Sequence, residues 1–261
     1  MKKKNYIYDE KNENILKCSN GKIKTKITHD PIDVSYYISI DLEPDYFLEF
    51  FEQYLKECKG NIIMPCHFII KQLQTILIFN LLETSSVILT GRRMGGMIAS
   101  SLIFYILYIG KSMNIEYNNF FQKKGGKNSL GVVTFGSPSF LNNLTVGIKM
   151  KNFTSYFYHV KGEHDNFPEI IDFISHYDFI NHFKVGYLKE FYKLLNNIEL
   201  NVEEMNFLNE FLEDIHFSEN HVKLHINKFI RIPFGYYYIM KASDYSLVPL
   251  NEHNFNKFYY F

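Results

Sequence analysis

The stretch from Ser85 to Ser100, SSVILTGRRMGGMIAS, constrains this chain more than any other. Val87, Ile88 and Leu89 form a short apolar run of the kind found in a strand buried on both faces. Gly91, Gly95 and Gly96 bound a sharp turn, and Met97, Ile98, Ala99 and Ser100 after it are small or apolar, as a buried helix requires. Glycines at such a turn permit strained backbone and let a helix pack close to a sheet. A buried strand leading directly into a buried helix is the unit from which parallel, helix-covered sheets are built.

Composition narrows the classes further. The chain has 261 residues, 46% of them hydrophobic, which is enough for a substantial core and argues against disorder. Lys and Arg total 28 and are matched by 28 Asp and Glu. A formal charge of zero argues against a nucleic-acid partner, which would need a basic excess. Cys18, Cys58 and Cys66 are sparse, odd in number and without metal-type spacing, so they suit a reducing compartment and predict no metal site. The basic start, MKKKNY, leads into polar residues and not into the apolar core of a secretory signal. The longest apolar stretch, Met97 to Gly110, is interrupted by serines and short for a bilayer. The expectation is a cytoplasmic protein with no transmembrane segment and no cofactor.

Taken in order, residues 1–30 hold one or two edge strands (Tyr6–Tyr8 and Lys22–Ile27) between polar turns. Asp33–Ile40 is aromatic and β-branched throughout and reads as a strand, and Tyr46–Lys59 has helical periodicity. His67–Leu82 spaces Ile69, Leu73, Ile76 and Leu77 as an amphipathic helix does. The strand-turn-helix unit then runs to about Gly110, followed by a polar loop over 111–129. Leu130–Phe135 and Phe153–Val160 read as buried strands. Helical patterns follow at 187–196, 202–217 and 219–229, and Ile230–Met240 reads as a late strand near a sheet edge because of Pro233. Strands alternating with helices from 34 to 160 predict βαβ crossovers and a mainly parallel sheet, with residues 1–261 as a single domain.

The turn Gly91-Arg92-Arg93-Met94-Gly95 has the spacing of G-x-S-x-G, the nucleophile elbow that exposes one side chain above an α/β sheet. Around it the chain resembles the class 3 (fungal triacylglycerol-type) lipases, an α/β-hydrolase family. Residues 87–100 are similar to that family's "vTGHSLGGAlAs", Val132–Pro138 (VVTFGSP) to "vyTFGsPrvGn", and His159–Pro168 to "vvn..D.VPrlP". Pro233–Tyr237 is similar to an "rPfGtY" strand of plant lipase-like immune regulators in the family. The matches fall in order over roughly residues 60–240. The resemblance implies an α/β-hydrolase fold, with a mainly parallel central sheet flanked by helices.

It also implies a Ser-His-Asp triad in the chain order Ser, Asp, His. The carboxylate position falls on Asp165, which equally suits the cap of a loop turn. The histidine position falls on His221 in ENHVKL, with His216 second, although no histidine of the ten stands out by itself. Lys184-Val185-Gly186 stands where the family often has "HvG". The serine position holds Arg93. Serine attacks because an imidazole removes its proton, and a guanidinium stays protonated and has no such role. The family's oxyanion segment "FRGT" corresponds to Ser39-Ile40-Asp41-Leu42-Glu43, whose carboxylates would oppose a developing oxyanion.

Two functional expectations follow. One is a catalytically inactive lipase-like domain that acts by binding a lipid or anionic ligand, or a protein partner. In that reading Arg92 and Arg93 meet an anion at a helix N-terminus, where backbone N–H groups already favour negative charge; a simpler role for Arg93 is to pair with Asp165 in a filled pocket. The other is an active lipid-ester hydrolase with Asp165, His221 and a different nucleophile, for which Ser137 and Ser100 are the available hydroxyls.

Overall fold

The computed structural model describes residues 7–8, 23–30, 34–43, 46, 49–50, 53–54, 66–70, 75–122, 129–142, 151–165, 167–168, 171, 231–232 and 234–250. Their elements begin with β1 (Ile7–Tyr8), β2 (Ile23–Asp30), β3 (Ser35–Leu42), α1 (His67–Ile70) and α2 (Thr75–Thr84). The central unit is β4 (Ser86–Arg92) and α3 (Met94–Ser112), followed by β5 (Asn118–Asn119), β6 (Ser129–Phe135) and β7 (Leu141–Asn142). A 3-10 helix (Lys151–Tyr156), β8 (Phe157–Gly162), β9 (Arg231–Ile232), β10 (Tyr236–Met240) and β11 (Leu247–Pro249) complete them.

Among the described residues one nine-stranded sheet runs in the order β1-β2-β3-β4-β6-β8-β10-β11, with β5 beside the start of β6. The central pairs β3–β4, β4–β6, β6–β8 and β8–β10 are parallel. Antiparallel pairs, β1–β2–β3 and β10–β11, lie at the two edges. This mainly parallel central sheet with helices is the α/β-hydrolase arrangement that the sequence predicts.

The register explains why α3 packs where it does. Residues directly opposite one another on paired strands share a face. One cross-strand row is Ile40, Gly91, Thr134, His159 and Tyr237; a second is Ile38, Leu89, Val132 and Phe157. These positions are buried, and both rows share the face that α3 covers, since Gly96 lies against Gly91 and Thr134. Phe104 of α3, Phe140, Phe157 of β8 and Phe234 form an aromatic cluster with centroid separations of 5.1–6.2 Å. By length and composition α3 is apolar enough to cross a membrane, which the shorter Met97–Gly110 run does not convey. Its most apolar window is nonetheless 78% buried, and it serves as a core helix of the sheet.

Several elements differ from the sequence expectation. Phe153–Tyr156 is not strand but part of the 3-10 helix, with the strand starting at Phe157. A three-residue turn puts Phe153 and Tyr156 on one side, where their rings meet edge to face at 6.0 Å. The polar loop 111–129 contains β5, paired to Ser129 and Leu130. The late strand is two strands, because Phe234 is drawn into the phenylalanine cluster between them. β9 pairs with β7 in a separate ribbon, β10 lies inside the sheet, and β11 forms the outer edge. The helices expected at 187–229, His216, His221 and Lys184–Gly186 lie outside the described residues.

Candidate functional site

The carboxyl end of β4 meets the amino end of α3 at Arg93, whose φ of 51° and ψ of −124° make it the apex of a strained strand-to-helix turn. Positive φ is sparsely populated for residues with a Cβ and costs on the order of 1–3 kcal/mol. The surroundings hold the turn in place. The Arg93 N–H donates to the Phe135 carbonyl at 2.8 Å, and the Arg93 carbonyl accepts from Met97 N–H at 3.1 Å. Gly95 lies so close to β3 that a Cβ there would overlap the Ile40 carbonyl oxygen and come within 3.2 Å of Asp41 Cα.

The adjacent strand ends complete the site. Gly136, just past β6, has φ 55° and donates its N–H to the Val160 carbonyl at 2.8 Å. A Cβ at Gly136 would collide with the Asp165 carboxylate, so this glycine is what lets Asp165 approach the elbow. Asp165 follows β8 in a tight turn, its N–H bonded to the Gly162 carbonyl at 3.1 Å. Its Oδ1 accepts the Phe167 N–H at 3.1 Å, which is the loop-capping role that the sequence allowed for it. The Phe167 ring lies under the Arg93 guanidinium, whose carbon is 5.0 Å from the ring centroid. Phe167 and Asp165 thus bring an aromatic face and a carboxylate to the same turn as the guanidinium. Cation–π contact of this kind is worth on the order of 1 kcal/mol.

The structure therefore gathers Arg93, Gly136, Asp165 and Phe167 at the carboxyl ends of β4, β6 and β8, the end of a parallel sheet where ligands bind. Arg93 is half-buried and Arg92 is exposed beside it. The segment Ser39–Glu43 does lie at the elbow, through Ile40 and Asp41 against Gly95. Glu43 is engaged by Lys24, with Nζ and Oε1 2.5 Å apart. The two spare hydroxyls are enclosed: Ser100 is fully buried in α3, and Ser137 is buried with its hydroxyl donating to the Pro138 carbonyl at 3.1 Å.

His159, the first residue of the His159–Pro168 stretch, is a buried polar group to which the motif resemblance assigns no role. Its Nε2 lies 2.9 Å from the Phe234 carbonyl oxygen, which can only accept, so Nε2 carries the proton. Nδ1 then accepts from the Thr134 hydroxyl at 2.6 Å. Burial drives the imidazole pKa from 6.5 down to about 4, against a smaller opposing effect of the Phe234 carbonyl. A neutral histidine thus ties β6, β8 and the approach to β10 together beneath the elbow. Among the described residues no group of three or more His, Cys, Asp and Glu side chains is arranged to hold a metal.

No protein-family model matches the sequence, and no curated protein matches it either. Solved structures with a similar arrangement include the Lip2 lipase from Yarrowia lipolytica, at 15% identity and a TM-score of 0.37. The match covers 64% of this chain and 59% of Lip2, so the chain spans less than two thirds of that enzyme's length. The M37 lipase matches at 10% identity and a TM-score of 0.41 over 90% of this chain and 70% of its own. A triacylglycerol lipase from Penicillium expansum matches at 9% identity and a TM-score of 0.34, over 94% and 71%. Identities this low concern architecture alone, and the α/β-hydrolase architecture stands on the strand order and the elbow.

Proposed function

We propose that this chain is a catalytically inactive lipase-like domain that acts by binding. What carries the reading is Arg93 at the apex of the elbow, where the hydrolytic mechanism needs a hydroxyl. A guanidinium remains protonated at all physiological pH values and offers no nucleophile. Loss of the nucleophile removes most triad catalysis, leaving only what binding and oxyanion donors contribute. The burial of Ser100 and Ser137 leaves neither hydroxyl able to meet a bulky ester without rearrangement.

The ligand class that suits the site is an amphipath with an anionic head, such as a fatty carboxylate or an acyl phosphate. Arg92 and Arg93 stand at the N-terminus of α3, where charge-assisted hydrogen bonds and the helix dipole act together. A protein partner with an acidic side chain would use the same chemistry, and the buried Cys66 thiol suits a reducing, cytoplasmic setting. The competing reading, an active ester hydrolase, draws on the nearness of Asp165 to the elbow through Gly136.

A fluorophosphonate probe separates the two. The expected result is no covalent label on the purified chain and no turnover of short- or long-chain esters above buffer. Labelling of any serine would overturn the proposal. In parallel, laurate and lauroyl phosphate should bind the wild type and lose about tenfold in affinity in Arg93→Ala, in line with a charge-assisted contact of roughly 1.5 kcal/mol. Equal binding by both proteins would remove the elbow from the binding site.

A further inference from the structure

A second site lies at the far end of α3, about 27 Å from Arg93 at 1.5 Å of rise per residue. There the described residues border a partly open cleft of about 440 Å³. Leu107 and Lys111 enter it from the last turns of α3, Glu116 and Tyr117 from the loop that follows, and Phe153 and Tyr156 from the 3-10 helix. Among the described residues, none that lines the cleft belongs to the lipase-like motifs.

Its walls are pinned by hydrogen bonds that run between separate segments. α3 closes through the Met113 N–H on the Ile109 and Gly110 carbonyls, at 3.0 and 3.1 Å. The Ile115 N–H then returns to the Gly110 carbonyl at 2.7 Å, which folds Glu116 and Tyr117 back beside the last helical turn. The Tyr156 hydroxyl donates to the Tyr117 carbonyl, and the Asn119 amide to the Ser155 carbonyl, so loop and 3-10 helix hold each other. A cleft built this way is preorganised and loses little entropy on binding.

The chemistry of the lining is two-signed. Three aromatic rings, of Tyr117, Phe153 and Tyr156, line the cleft, and the Phe153 ring already carries a cation, the Lys111 Nζ, 5.7 Å from its centroid. The Glu116 carboxylate lies near enough to Tyr156 to raise the pKa of that phenol, after the larger effect of burial. The C-terminal end of α3 adds the negative pole of its dipole. All three features favour a positive group against the aromatic wall. Lys111, with the Asn114 and Asn152 amides at the rim, supplies donors for a negative one.

We propose that this cleft binds a small organic zwitterion of the phosphocholine type. Its quaternary ammonium rests on Phe153 and Tyr117 beside Glu116, and its phosphate is met by Lys111, which swings off the Phe153 ring. Quaternary ammonium groups are recognised by aromatic faces because they gain cation–π attraction at small desolvation cost. A lysine matches phosphate as a point charge. The site is independent of the elbow.

Titration of the 261-residue chain with phosphocholine, followed by calorimetry or chemical-shift changes, tests this directly. Saturable binding is expected, with choline and inorganic phosphate each weaker than phosphocholine. Phe153→Ala and Lys111→Ala should each weaken it about tenfold, whereas Phe153→Tyr and Arg93→Ala retain it. Lys111 is exposed, so its variant keeps the test open should Phe153→Ala not fold. Co-sedimentation with phosphatidylcholine and phosphatidylglycerol vesicles then identifies the source. Retention on phosphatidylcholine, competed by free phosphocholine, assigns a lipid headgroup; binding of the free compound alone assigns a soluble one. Absence of saturable phosphocholine binding, or binding unchanged in folded Phe153→Ala and Lys111→Ala, overturns the proposal.

Discussion

Arg93 pairs a long charged side chain with a backbone conformation that residues with a Cβ rarely hold, and its neighbours decide whether that is tolerated. Gly95→Ala drives a methyl group into the Ile40 carbonyl, which is backbone and has nowhere to move. Denaturant melts should show a loss of about 3 kcal/mol or an unfolded protein. Gly162→Ala is the control: its Cβ would meet Asp165 Cβ at an ordinary 3.6 Å, and stability should stay within about 0.5 kcal/mol. His159 supplies a pH test at the same scale. Both states are neutral at this residue above pH 6.5. Between pH 6.5 and about 4 the unfolded chain binds a proton that the folded one refuses, because burial depresses the folded pKa to about 4. The group's contribution is therefore intact above the unfolded value and drains away as pH falls, by on the order of 3 kcal/mol in all. Urea midpoints at pH 7 and pH 5 should separate in the wild type and draw together in His159→Gln. An equal separation in both proteins would show that His159 is not the group responsible.

At the scale of elements, α3 is held to the sheet by glycine contact at its start and by phenylalanine contact along its length. Phe140 is fully buried, stacked at 5.1 Å on Phe157 and edge-on to Phe104 and Phe234. Phe140→Ala should cost about 3–5 kcal/mol by thermal or chemical denaturation. This is also where local pattern misleads. The run from Phe153 to Val160 is uniformly β-prone, yet its first half turns as a 3-10 helix. Two long-range bonds, Tyr156 to the Tyr117 carbonyl and Asn119 to the Ser155 carbonyl, hold it there. No window of a few residues contains those partners. The elbow, by contrast, was legible because its turn glycines, apolar strand and small-residue helix lie within sixteen consecutive positions from Ser85 to Ser100.

At the scale of the molecule, stability should be graded from the middle of the sheet outward. β4 and β6 have strands on both sides and α3 over one face, whereas every residue of β11 is exposed at an edge. Hydrogen exchange should find the β4, β6 and α3 amides slowest and those of β11 orders of magnitude faster. Uniform protection across the sheet would contradict this gradient. The sequence alone determined the strand-turn-helix unit, the alternation that makes a parallel sheet, and the presence of an arginine at the elbow, since each depends on residue identities at short spacing. Tertiary structure alone decided what surrounds that arginine. Asp165 reaches the elbow only because Gly136 makes room, and Phe167 takes the guanidinium face. His159 finds its acceptor 75 residues away in the chain. Burial and partner choice are properties of strands already paired, so they arise only when the sheet closes.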